Sequence, residues 1–534
     1  VDDGHDTRLV KAKGRAEACL GEAGPGLDQG QGGKAAIADV YPAGLHGEPA
    51  GEMNLNTAQP VSQQIPEPFR VANHEFVSGH PGSTDRLLTV SQLHSQRDFG
   101  LPQWLLRASE LRGRYLQFAR EGAEQARLVN EATFGLENSI KVRRKELDAL
   151  LDDALMERKA KEEAELKARV AADPKLAAGI GDPWSDIARA QVVWREIYLP
   201  YSYLEAQAGF NSTLIRQART LVRAAAERAK PDGERLREYR ETALPRIEQR
   251  LKADVPIYPE VEELTLSFGF ERMREWLGPD HPVVKKLLSK DSPDTLAKRL
   301  VSGTKLADPK VRMALWNGGQ AAIDASDDPM IQIAKLVDPD ARAVRKRYED
   351  EVEAVEQRGQ DRIARARFAV YGTSMYPDAT FTLRLNYGTV QGWQENGRQI
   401  EPYTLLGGIF DRATGKAPFA LPESWLKAKP RLDLSTRFDM STNNDIVGGN
   451  SGSPLVDAQG RIVGLMFDGN IHSISGSYWF DAAKNRAIAV HPAVIREALS
   501  KVYGADALLD ELSGTAVRQP TVKLPKKPSP ATAR

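Results

Sequence analysis

The stretch Gly448-Gly449-Asn450-Ser451-Gly452-Ser453-Pro454 holds the residues whose types and spacing point most directly to chemistry. A serine hydroxyl becomes a useful nucleophile only when a base takes its proton and donors receive the charge that develops on the carbonyl oxygen. Glycines on both sides of Ser451 permit a tight turn that aims the backbone N–H groups of Gly449 and Ser451 at one point, an oxyanion hole. Downstream, Val463-Gly464-Leu465 supplies a strand able to line a substrate cleft. The plainer alternative is a Gly/Ser turn joining two strands. The β-pattern on both sides and the glycine-bearing strand behind the loop favour a nucleophile at Ser451.

The elements that must position this loop differ in texture along the chain. Phe381, Leu383, Leu385 and Tyr387 alternate with Thr382, Arg384 and Asn386, a period of two that predicts a strand burying its apolar face. Arg461–Phe467 and Arg486–Val490 read as further strands, and Pro492 to Val502 as a closing helix. Upstream the period is helical: Trp104, Ala108, Leu111, Tyr115 and Phe118 step by three or four. A second run takes in Val142, Leu147, Leu150, Leu151 and Leu155, its charges reading as solvated faces. Asp173-Pro174 and Gly181-Asp182-Pro183 break the pattern, which resumes and continues to Arg365. The glycine-rich first 74 residues show neither period, and the proline- and lysine-rich tail reads as disordered.

Composition sets outer bounds. With 534 residues, two to four domains are expected, and 41% apolar with 27% charged residues is a globular balance. The 73 basic and 73 acidic residues cancel, which argues against nucleic acid or an anionic membrane as partner. No apolar run approaches the roughly 18 residues of a membrane span. Cys19 is the single cysteine, so neither an internal disulfide nor a cysteine-based metal site is expected. No His-Glu-x-x-His or similar cluster suggests a metal-dependent hydrolase, and no cofactor is implied.

Asp445-Ile446-Val447 leading into the serine loop, then Gly464-Leu465-Met466-Phe467-Asp468-Gly469-Asn470, resembles the bacterial dipeptidyl-peptidase 7 and 11 family. Gly79-His80-Pro81-Gly82-Ser83-Thr84, Ala325-Ser326-Asp327-Asp328-Pro329 and Tyr376-Pro377-Asp378-Ala379 extend the likeness from about Glu75 to Leu509. Members are serine exopeptidases of the chymotrypsin clan whose double β-barrel is interrupted by a large helical domain over the active site. The resemblance implies an α+β multidomain fold, a chymotrypsin-like β-barrel with an inserted α-helical domain. The expected layout is an unmatched segment at 1–74, a remnant of the first barrel at 75–99, helices at 100–365, the second barrel at 366–509 and a tail at 510–534. It also implies peptide substrates with a free N-terminus, a periplasmic or surface location, and a possible homodimer.

Family roles fall on named positions. Ser451 is the nucleophile and Gly449 an oxyanion donor. Asp468 matches the carboxylate that pairs with the substrate's α-ammonium, and Asn138 an asparagine that binds the same amine; the alternatives are a turn aspartate and a solvent-facing helix asparagine. Gly469 stands where members that cut after Asp or Glu carry arginine. Glycine there implies an open, uncharged pocket preferring apolar or aromatic side chains.

The likeness fails at the base. The family's triad histidine lies in a Thr-Asn-His-His-Cys stretch and its triad aspartate downstream in the same barrel; neither has a counterpart here, the eight histidines being His5, His46, His74, His80, His94, His281, His472 and His491. His472 is near Ser451 in sequence, but proximity alone does not make it a base. The expectation is a largely missing first barrel through a truncated or frameshifted gene product, with a natural pseudo-peptidase that binds peptides as the alternative. Such a chain would be nearly inactive, and a half-built double barrel would expose apolar sheet surface and unpaired edges.

Overall fold

The structure, a computed structural model, describes residues 74–416 and 419–513. The expectations for the glycine-rich leader and the C-terminal tail lie almost wholly outside these residues. The described chain forms two units, one from Leu87–Pro377 and the other from the segments before and after it, 74–86 and 378–513.

The second unit is built on a seven-stranded sheet. Its strands are β1 (Glu75–Gly79), β2 (Arg384–Gly388), β5 (Tyr403–Leu405), β6 (Arg437–Thr442), β7 (Pro454–Asp457), β8 (Ile462–Gly469) and β9 (Ala487–Val490), in the order β2-β1-β7-β8-β9-β6-β5. Every pairing is antiparallel. A separate hairpin joins β3 (Trp393–Glu395) to β4 (Arg398–Ile400) through Asn396 and Gly397, both at positive φ, the two-residue turn that follows strand twist. The chain leaving β2 bridges back to β6 at Val390 and Thr442, so the two sides of the sheet curl toward each other. Val77, Met440, Leu455, Met466, Ala487 and Ala489 point inward from five strands and form the core. Outside, Trp425, Phe438 and Val494 belong to a cluster packing the helix Pro492–Glu497 and its neighbours onto the sheet.

β2 departs from expectation. Leu383, Leu385 and Tyr387 are 65%, 46% and 47% exposed, so the apolar face is turned outward. Polar residues take the inner face instead. Arg384 donates to the Asp378 carbonyl, and Asn386 Nδ2 donates to the Asp445 carbonyl at 2.6 Å. The register against β1 fixes this choice, because a slip of one residue would strand those donors.

The other unit is helical from Val90 to Tyr371. Ala108, Leu111, Tyr115 and Phe118 are buried on the helix Leu101–Ala119, as their spacing predicts. The run from Val142 to Leu155, read as continuous, is two helices. Ala123–Leu150 ends, Leu151 is exposed, and the Asp152 carboxylate caps Asp153–Ala172 by accepting from the Ala154 N–H. Asp173 and Asp182 cap the helices that begin at Pro174 and Pro183, so the two expected breaks are a cap followed by proline at the first helical position. The Ala325–Pro329 stretch is a cap as well. Asp328 accepts from Met330 N at 2.9 Å and from Lys305 N at 2.8 Å, tying one helix start to a distant loop. No helix among the described residues is long and apolar enough to cross a membrane.

Candidate active site

The serine loop is clamped from both sides. Behind it, Gly452 N donates to Met466 O at 2.7 Å and Met466 N to Ser453 O at 3.0 Å, which fastens the loop to β8. In front, Gly82 N donates to Gly448 O at 2.6 Å. Gly449 sits at φ +104°, and a Cβ there would lie 2.4 Å from His80 O, so only glycine fits beneath the His80–Gly82 segment. The Gly79–Thr84 stretch noted in the sequence is therefore the strap across the loop, a role that pattern alone did not reveal. It is itself anchored by Asp378, which accepts from Thr84 Oγ1 at 2.5 Å and Arg86 N at 2.9 Å.

Ser451 is exposed, and its Oγ donates to Phe467 O at 3.3 Å. The N–H groups of Gly449 and Ser451 have no acceptor among the described residues, whereas Asn450 N is taken by Val447 O at 3.2 Å. Two free donors flanking an exposed hydroxyl are what an oxyanion requires. No described histidine bonds Ser451. His472 instead meets Glu395 at 2.6 Å, His74 packs at a tilt against the Tyr387 ring, and His491 caps a helix by accepting from Ala493 N. The His472 hydrogen bond, aided by one from Trp393 and opposed by burial, holds the Glu395 carboxyl below its ordinary range. No group of acidic, histidine or cysteine side chains able to hold a metal ion occurs among the described residues.

Asp468 and Gly469 end β8, the strand that Ser451 touches. The Asp468 carboxylate is exposed and, among described residues, bonds only its neighbour's N–H, at 2.8 Å from Gly469. Gly469 faces a wall: a Cβ there would lie 2.7 Å from Ser473 Cβ and 3.4 Å from Arg486 O. Ser473 is held in place by bonds from its hydroxyl to Asn470 Oδ1 and Arg486 O, each 2.9 Å. Asn138 lies in the helical unit, exposed on Ala123–Leu150. The structure thus brings Gly449, Ser451, Asp468 and Gly469 together in the sheet unit.

The model of the family described as Peptidase S46 matches residues 65–514. The chain belongs to that family. Among Peptidase S46 relatives, an Asp/Glu-specific dipeptidyl-peptidase of Shewanella putrefaciens is 26% identical over 487 residues, covering 82% of this chain and 64% of that protein. A dipeptidyl-peptidase 7 of Capnocytophaga gingivalis is 30% identical over 204 residues, 35% of this chain and 28% of that protein. The crystal structure of Porphyromonas endodontalis DPP11 with the dipeptide Arg-Glu matches at a TM-score of 0.67 and 18% identity, covering 83% of this chain and 64% of that one. The structural likeness is one of fold, and the chain spans about 64% of the length of the Shewanella relative and of the Porphyromonas chain.

Proposed function

We propose that this chain carries the nucleophile of a serine dipeptidyl-peptidase, releasing dipeptides from peptides with a free N-terminus. The observation that carries this is Ser451, exposed between the unpaired N–H groups of Gly449 and Ser451 on a loop clamped to β8. In this reading the curled sheet is a chymotrypsin-like barrel, and the hydroxyl of Ser451 attacks the carbonyl of the second residue, whose bond to the third residue's nitrogen then breaks. The two N–H groups hold the oxyanion, and the exposed Asp468 carboxylate pairs with the α-ammonium. Asn138 is assigned to the same amine. Turnover then depends on a base that the described residues do not supply.

For the residue before the cut we propose an uncharged side chain, because Gly469 adds no cation to the pocket. The name of the Shewanella relative, Asp/Glu-specific, points the other way, whereas the Capnocytophaga relative is named without a specificity. A second reading, peptide binding without hydrolysis, is favoured by the Phe467 carbonyl as the partner of Ser451 Oγ. An oligopeptide with a free amine, its N-acetylated twin and a fluorophosphonate separate the two. Dipeptide release from the free form alone, with Ser451 labelled and both signals lost in Ser451→Ala, is the expected result. Folded protein that neither labels nor releases, yet binds the free peptide, would leave only the second reading.

A further inference from the structure

Two segments leave the Ser451 region together. The loop runs back from Ser451 to Asp445, and the other segment runs on from Phe467 through Gly469 into the 3₁₀ turns of Ile471–Ser477. At the near end they touch, through Ser451 Oγ on Phe467 O and Gly452 N on Met466 O. At the far end they are bridged by one side chain. Arg86 donates from Nη1 and Nη2 to the two oxygens of Asp445, at 2.5 and 2.8 Å, and from Nε to Gly476 O at 2.8 Å. Its guanidinium also lies 6.0 Å from the Phe480 ring centre. In the proposed peptidase reading, the side chain preceding the cut lies between this near contact and the far bridge.

We propose that Arg86 sets the charge at the far end of this side-chain pocket by masking Asp445, and so is a specificity-determining residue. A carboxylate six residues ahead of the nucleophile would, left alone, recruit a basic substrate side chain. The planar guanidinium occupies both of its oxygens in the fork geometry that Arg and carboxylate share, so the pair presents no net charge. The side chains are 23% and 30% exposed, leaving the pair within reach of a ligand. Uncharged side chains are then preferred for a reason independent of Gly469. This rests on the proposed peptidase reading of the Ser451 cleft.

The test uses the full chain and three dipeptides, Ala-Leu, Ala-Arg and Ala-Glu, with binding measured by calorimetry. Unmodified protein binds Ala-Leu best of the three. Arg86→Met bares Asp445 and raises affinity for Ala-Arg relative to Ala-Leu by about tenfold, the order expected of a partly exposed charge pair. Asp445→Asn, nearly isosteric, takes the opposing carboxylate away from Arg86 and shifts preference toward Ala-Glu by a similar factor. Opposite shifts from two variants at one contact cannot arise from general damage. If unmodified protein binds Ala-Leu but both variants keep its ranking, the masking role is wrong and the cleft stands. If it binds none of the three, the cleft assignment falls and this inference with it.

Discussion

Gly469 carries two constraints at once. As the proposed specificity position it adds no cation to the cleft, but its backbone is also pressed by Ser473, whose Cβ would lie 2.7 Å from any Cβ placed there. Gly469→Arg alone is therefore expected to destabilise the sheet unit by about 1–3 kcal/mol through overpacking, and to gain little affinity for acidic side chains. Gly469→Arg with Ser473→Gly relieves the contact and lets the new cation act, so it should recover part of the stability and shift binding toward Ala-Glu. Denaturant unfolding and the dipeptide profile of the two variants check both halves. A single variant as stable as the parent would show that Ser473 gives way freely. The sequence pointed to Gly469 as an open position; only the packed Ile471–Ser477 turns show what the openness is bounded by.

At the scale of elements, the β3–β4 hairpin is tied to the turns after β8 by the Glu395–His472 contact. The folded-state pKa of Glu395 lies below its ordinary value of 4.5, first through the His472 hydrogen bond. A lowered carboxyl pKa contributes stability that is present above the unfolded value and lost as pH falls through the folded one. Glu395→Gln should thus lower the melting temperature at pH 6, and the gap from the parent should close as pH drops below about 4.5. A gap unchanged down to pH 3 would mean that the contact contributes through shape rather than charge. The pairing also explains why His472, close to Ser451 in sequence, is not aimed at it. Nothing in the local pattern signals a partner 77 residues upstream.

For the molecule as a whole, the outward apolar face of β2 matters most. Exposed Leu385 and Tyr387 lie on β2, an edge strand of the seven-stranded sheet, with Phe381 and Leu383 also exposed just before it. Apolar strand surface at an edge invites association. Sedimentation over a range of concentrations is expected to show self-association of the chain. Replacing Leu383, Leu385 and Tyr387 together by threonine, which keeps strand propensity, should move the population toward monomer with the circular dichroism unchanged. Equal association in both proteins would place the contact elsewhere.

The features legible in the chain alone are local ones. The glycines around Ser451, the Asp-Pro caps at Asp173 and Asp182, and the helical stripe from Ala108 to Phe118 depend on backbone sterics and near-neighbour spacing, so a linear pattern reveals them. The family likeness of the loop was legible for the same reason. Tertiary structure decided what depends on partners far apart in the chain. It turned the apolar set of β2 outward, because Arg384 and Asn386 find carbonyl acceptors at Asp378 and Asp445 on the inner side. It split the run at Leu151, where an Asp152 cap outweighed continuous periodicity. And it placed Arg86, 359 residues from Asp445 in sequence, against the start of the serine loop's own segment, since pairing β1 between β2 and β7 carries the chain that follows it to that spot.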